Sequence, residues 1–215
     1  MGIIQDQRPR DWAYKAVFKE KDLPSLEEMA RHIRETHDTD MIEDFNAKCE
    51  QKLTGKTAVL DNGIEIEAVT KSEDLVTNAG LDKCIQFIIG TSTARWSHFG
   101  MSAGNTPAPA VTDTALQVET IVNRAVLAWN EPVGMRLYFG GISGQTDISE
   151  AGGTAPTAVG EIGVYNGSAA GATLLNRTLW ATDTSYILTQ QTPSISNIRS
   201  APIVVSCVIE FCPVV

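Results

Sequence analysis

Apolar side chains near the start of this chain recur with the period of an α-helix. Leu26, Met29, Ala30 and Ile33 are three or four residues apart, so they share one face of a helix. The Pro-Ser-Leu-Glu-Glu sequence at 24–28 has the form of a capping box, which predicts that the helix begins at its serine. A stripe this narrow cannot form a core alone, so we expect it to dock on another surface.

A second helix is expected to begin at Asp40 and to end at the Thr-Gly pair 54–55, since glycine favours helix termination. Its apolar positions are four residues apart, namely Met41, Phe45, Cys49 and Leu53. This helix also has only one apolar stripe. The pair of helices is therefore interpreted as a docking element and not as an independent unit.

The first 20 residues combine aromatic side chains with charged ones and show no clear period. Large aromatic side chains carry much of the binding energy at protein interfaces. We therefore interpret this segment as an extended arm that becomes ordered on a partner. The residues expected to anchor the arm and the first helix are Trp12, Tyr14, Phe18, Leu26, Met29 and Ile33.

A hairpin and a third helix are expected next. Asn62-Gly63 lies between two β-prone runs, and this dipeptide tolerates the positive φ angles of a tight turn. Residues 78–89 form an amphipathic pattern that Gly90 closes. Its apolar residues, which we expect to pack on a sheet, are Leu81, Cys84, Ile85, Ile88 and Ile89.

The rest of the chain has the pattern of short strands separated by Gly, Pro and Asn. Strands are expected at 96–101, 125–130, 135–140, 159–165, 173–180, 186–189 and 203–211. In the last of these, five apolar residues alternate with the others from Ile203 to Phe211, which predicts a central strand. The fold class is thus mainly β with α, an antiparallel sandwich or jelly roll preceded by a helical arm.

Charge divides the chain into two parts. Residues 1–75 contain 28 charged side chains and residues 76–215 contain 15. We expect an anchor at 1–56, made of the arm and two helices, and a body at 57–215, made of the hairpin, the packing helix and the strands. The net charge of −9 disfavours nucleic acid as a partner. No apolar run approaches the roughly 20 residues of a membrane span, so no membrane partner or export is expected.

One motif raises the question of catalysis. Residues 100–104 read Gly-Met-Ser-Ala-Gly, the pattern of the nucleophile elbow of serine hydrolases. That elbow requires a following helix and a later histidine, but prolines follow the motif and His32, His37 and His98 all precede the serine. The cysteine and histidine spacings suit no metal. We expect no enzyme activity, no metal and no cofactor.

Two isolated charges lie on apolar strands of the body. Glu161 and Arg177 are each surrounded by uncharged residues. Because a buried charge is stabilised by an opposite charge, we expect these two residues to be structural partners.

The body resembles β-sandwich structural proteins of tailed viruses. The resemblance covers residues 75–215 and is carried by the segments 76–81, 100–105, 112–119, 160–166 and 174–178 and by the closing apolar strand. It implies a virion protein of the tail, baseplate, fibre or capsid-decoration type, assembled in the host cytoplasm. Its implied partners are copies of itself, as a trimer, and other virion proteins. The alternative is a module that binds a host glycan or receptor.

Overall fold

A computed structural model describes residues 9–93, 95–102, 108–116, 124–143, 161–179 and 202–211. Within these ranges the chain forms nine strands in one sheet and three α-helices, and all pairs of neighbouring strands are antiparallel. The strand order is β4-β3-β7-β8-β2-β1-β9-β6-β5. The prediction of a mainly β chain with helices is confirmed.

The elements follow the chain in a simple order. The helices are α1 (Leu23–Thr36), α2 (Thr39–Leu53) and α3 (Asn78–Ile88). The strands are β1 (Arg10–Val17), β2 (Ala68–Val76), β3 (His98–Ser102), β4 (Ala125–Val126), β5 (Trp129–Val133), β6 (Arg136–Ser143), β7 (Glu161–Tyr165), β8 (Leu174–Leu179) and β9 (Ile203–Glu210). The strand expected at 186–189 lies outside the described residues.

Strand β1 lies in the interior of the sheet and is not a separate arm. It pairs with β2 on one side and with β9 on the other, so Tyr14 lies between Lys71 and Ser206. Both of its faces are covered, because Tyr14 and Ala16 belong to one apolar core and Ala13 to another. The expectation of an arm ordered only by a partner is therefore wrong for residues 10–17.

Helices α1 and α2 cover the first face of this part of the sheet. The apolar stripe of α1 is buried as the periodicity predicts, whereas Leu53 at the end of α2 is 40% exposed. Helix α1 begins at Leu23 and not at the serine, with Pro24 in its first turn, where proline needs no amide donor. In α2 the cap is Asp38, whose side chain accepts from the Met41 amide at 3.0 Å.

The expected turn at Asn62-Gly63 joins the same core. Gly63 has φ of 83°, and its amide donates to the Leu60 carbonyl at 2.8 Å. The flanking runs form an isolated bridge between Val59 and Glu65, and they bury their apolar side chains below the helices except that of Val59, which is 42% exposed. The buried residues of this turn are Ala58, Leu60, Ile64 and Ile66.

The second core lies on the opposite face, where the sheet curls over and its two halves pack together. Cys207 of β9 and Phe139 of β6 share this core with Phe99 of β3, Val164 of β7 and Leu175 of β8. A sandwich or jelly roll is not confirmed, because β2 pairs with β8 on one side and with β1 on the other. The strands thus form one continuous sheet. The central position predicted for the last strand is confirmed, since β9 lies between β1 and β6.

Candidate functional site

The residues expected to anchor the chain to a partner are instead part of its own core. Phe18, Leu26 and Ile33 are at most 1% exposed, and Tyr14 and Met29 are 3% and 7% exposed. All five pack in one cluster with Trp129 of β5 and Val208 of β9. Side chains that are already buried by their own chain cannot carry an interface. The anchor role is therefore not the role that the structure gives these residues.

Trp12 is partly buried and belongs to a polar cluster that joins three elements. Its Nε1 donates to the Tyr14 hydroxyl at 3.0 Å, and that hydroxyl donates to Glu50 Oε1 of α2 at 2.6 Å. Lys71 of β2 donates to the same carboxylate oxygen at 2.5 Å. These hydrogen bonds from Lys71 and Tyr14 lower the pKa of Glu50. The cluster fixes α2 on β1 and β2, which is a structural role.

The structure brings Glu161 and Arg177 together on neighbouring strands. Arg177 Nε donates to Glu161 Oε2 at 2.5 Å, and both side chains are fully buried. Arg177 also donates from Nη1 to Asp113 Oδ2 at 2.8 Å. Asp113 accepts the Ala110 amide as well, so it ties the segment 108–116 to the outer face of the sheet. Asp113 was not predicted, because no sequence pattern places it beside Arg177.

A second group of buried polar residues lies where β1, β2 and β8 meet. Asp74 of β2 is 6% exposed and accepts from the Leu75 amide at 2.9 Å and from the Asn176 amide group. Asp11 of β1 lies close enough that Asp74 contributes to its raised pKa. Burial is the main cause of the shift, raising the pKa of Asp11 to about 8 and that of Asp74 to about 6. Sequence reasoning missed this pair, since only the strand register brings the two residues together.

Helix α3 is attached to the sheet by its first turn. Thr77 caps the helix by accepting the Gly80 amide at 2.9 Å, and its hydroxyl donates to the Leu174 carbonyl at 2.7 Å. Gly80 packs so closely on β8 that a Cβ atom there would lie 2.4 Å from the Leu175 oxygen. The helix therefore rests on the sheet through its N-terminal end.

The C-terminal end of α3 presents large apolar side chains to solvent. Ile88 is 80% exposed, Ile89 66%, Ile85 56% and Phe87 47%. We name the exposed end formed by these four residues the α3 face: Ile85, Ile88 and Ile89 share one side of the helix, and Phe87 lies on the adjoining side. The expectation that this helix packs on the sheet is confirmed for Leu81 and Cys84, which lie against the second core, and is wrong for Ile85, Ile88 and Ile89, which are exposed. Contiguous exposed apolar patches on soluble proteins mark interaction sites.

The serine motif does not form a nucleophile elbow in the part of it that the structure describes. Ser102 is the last residue of β3 and pairs with Glu161 of β7, whereas an elbow serine follows its strand on a sharp turn. Residues 103 and 104 lie outside the described residues. His98 precedes the serine on the same strand, with Nδ1 at 2.8 Å from Ser97 Oγ. Burial and the nearby Arg124 lower the pKa of His98.

The described part of the chain contains neither a cluster of metal ligands nor a membrane-spanning helix. Within it, no group of three or more His, Cys, Asp or Glu side chains is placed to hold a metal ion. No helix among the described residues is long and apolar enough to cross a membrane.

Comparison with known proteins adds no relative. No protein-family model matches the chain, and neither a search of curated proteins nor a search of solved structures finds a match. Among the described residues, the α3 face includes the most exposed large apolar side chain, Ile88.

Proposed function

We propose that this protein is a non-enzymatic structural subunit that associates with copies of itself through the α3 face. The observation that carries the proposal is the exposure of Ile85, Phe87, Ile88 and Ile89 at one end of one helix. Four such side chains offer a patch of roughly 500 Å², comparable with the largest patches on monomeric proteins. Burying this patch would remove apolar surface from water, which favours association.

The charge around the α3 face supports a second copy as the occupant. The chain has a net charge of −9, yet residues 78–92 contain only Asp82 and Lys83 as charged residues. Two copies that meet through this neutral surface avoid the repulsion that most other surfaces of an acidic protein would produce. Like surfaces that are apolar and uncharged suit a symmetric contact between identical chains.

The ends of the sheet support a contact through helices and not through strands. At one end, β4 is only two residues long. At the other end, β5 contains Pro132, which has no amide to donate, and Glu131 is hydrogen-bonded to His37 at 2.7 Å. Short strands, proline and charge all oppose the addition of another strand. The α3 face is therefore the better route to assembly.

The resemblance of residues 75–215 to tailed-virus structural proteins supports the further proposal that the subunit is part of a virion. It implies a virion subunit assembled as a trimer, with a sandwich-like body. A sheet that curls over a shared apolar core is compatible with such a body. One α3 face in each copy would bring three patches together around a single axis. Attachment to other virion proteins remains part of the same proposal.

Sedimentation velocity over a hundredfold range of micromolar concentration tests the contact. The wild-type protein should sediment as an oligomer, with the mass of a trimer, and Ile88→Asp should sediment as a monomer with an unchanged circular dichroism spectrum. Met135→Asp is the matched control, since Met135 is also exposed, at 53%, but lies outside the α3 face. A monomeric wild-type protein, or an Ile88→Asp variant of unchanged mass, would refute the proposal.

The virion setting has a separate test. Particles purified from cells that encode this chain should contain it in many copies, which mass spectrometry can count against a known particle protein. Its absence from such particles would remove the virion setting, whereas the sedimentation result would still stand.

A further inference from the structure

The contact between β1 and β2 joins the two halves of the sheet. On one side of it lie β8, β7, β3 and β4, and on the other lie β9, β6 and β5. The register pairs Trp12 with Glu73, so the next position along the two strands brings Asp11 opposite Asp74. Two like charges directly opposite each other on neighbouring strands are destabilising. We name this contact the central seam.

The two carboxyl groups differ in their hydrogen bonds. Asp74 accepts from the Leu75 amide and from Asn176, which suits an ionised carboxylate. The Asp11 carboxyl group has a backbone hydrogen bond from Val76, but its Oδ2 atom is buried and has no hydrogen-bond partner among the residues that the structure describes. A buried ionised oxygen without a donor is costly, whereas a protonated carboxyl group is far less so. The arrangement therefore favours one proton on the pair, held mainly by Asp11.

Among the residues that the structure describes, no positive charge contributes to the shifted pKa of either carboxyl group. Glu73 of β2 and Cys207 of β9 are both near it, and the Glu73 charge raises the pKa of Asp11 further. Lys15 is on the same strand as Asp11, four residues away. Lys71 donates to Glu50, and Glu210 is paired with Arg136 at 2.9 Å. A surface cleft gives the proton a route to solvent, and it is lined by Asp11, Asp74, Trp12, Lys71, Glu73 and Glu210.

We propose that Asp11 and Asp74 share one proton in the folded protein and that its loss at mildly alkaline pH loosens the central seam. The pH-sensitive element is the pairing of β1 with β2, which holds the two halves of the sheet together. The proposal is independent of self-assembly, because the pair lies inside one chain.

The direction of the pH effect follows from the pKa of Asp11. Burial and Asp74 raise the pKa from 3.8 to about 8 in the folded protein, so between these values the folded state binds more protons than the unfolded state. Stability therefore falls as the pH rises through this window. The raised pKa of Asp74, at about 6, acts in the same direction, so the contribution of the pair to stability is largest below pH 3.8 and falls as the pH rises to about 8.

Melting curves between pH 5 and pH 9 test the proposal on a parent chain that carries Ile88→Asp and on two variants of it. The Ile88→Asp change separates the effect of the seam from that of assembly. The parent chain should lose roughly 5 °C or more in melting temperature over this range. Asp11→Asn should lose much less and be the more stable chain at pH 9. Glu73→Gln is the matched control: it removes an exposed carboxylate from the same seam whose charge contributes least to the raised pKa of Asp11, so it should keep most of the parent's slope.

Two measurements on the parent chain do not depend on a variant that folds. Infrared spectra at pH 6 to 7 should show the carbonyl band of a protonated carboxyl group, and the band should disappear by pH 9. Hydrogen exchange of the β1 and β2 amides should accelerate over the same range after correction for intrinsic rates. Absence of the band, or an unchanged pH slope in Asp11→Asn, would overturn the proposal.

Discussion

The ring of Phe99 in β3 lies directly against Gly141 in β6, across the interior of the curled sheet. A Cβ atom at Gly141 would come within 2.3 Å of Phe99 Cε1, which is far inside van der Waals contact. The absence of a side chain at this position is therefore what lets the two halves of the sheet approach. The contact belongs to the second core, which β3, β6, β8 and β9 share.

Gly141→Ala should destabilise the protein because the added methyl group forces the Phe99 ring out of its position. Overpacking of this kind costs about 1–3 kcal/mol of unfolding free energy, which urea titration can measure. Gly167→Ala is the matched control, since its Cβ atom would meet its nearest neighbour at 3.7 Å and should be nearly neutral. Equal stabilities of the two variants would mean that β3 and β6 do not pack this closely.

Glu161→Ala should destabilise the chain by about 3 kcal/mol, since it leaves Arg177 buried with only Asp113 as a described carboxylate partner. Glu161→Gln keeps an oxygen that can accept the Arg177 hydrogen bond, so it should lower the free energy of unfolding by less. The control is Glu35→Ala, which removes an exposed partner of Arg31 and should change stability by less than about 0.5 kcal/mol. Urea unfolding measures the change. If Glu161→Ala lowered the free energy of unfolding by as little as the control does, the buried pair would contribute nothing to stability.

A truncated chain that begins at Thr57 should fail to fold. The sequence-based expectation was the opposite, but removing β1 leaves β2 and β9 without their shared neighbour and uncovers the core below α1 and α2. Circular dichroism and cooperative thermal unfolding measure the outcome. The full chain is the reference and should unfold cooperatively. A cooperative, β-rich transition in the truncated chain would restore the anchor interpretation.

The sequence predicts those strands that have one apolar face, and it fails where both faces are covered. In β9, apolar residues alternate from Ile203 onward, so its central place could be inferred. In β1, Asp11 and Lys15 lie on the same face as Ala13, which packs in the second core. Tyr14 lies on the opposite face and packs in the first core. No alternation between apolar and polar residues remains, and the strand resembles an irregular arm.

The candidate sites also differ in whether the local sequence is enough to predict them. Glu161 and Arg177 could be paired from sequence because each is an isolated charge in an apolar setting. Asp11 and Asp74 could not, since their contact depends on the register of two strands far apart in the chain. The apolar stripe of α3 was found by its period, but periodicity identifies an apolar face without showing what covers it.

The pairing of β1 with β9 also sets the order in which the protein can be completed during synthesis. Val17 pairs with Ile203, about 190 residues later in the chain. At the usual rate of translation, β1 leaves the ribosome on the order of 10 to 40 s before this partner exists. In that interval it has β2 on one side and an unpaired edge on the other. The nascent chain is thus exposed to misassociation, and chaperone binding to residues 10–17 would protect it during the wait.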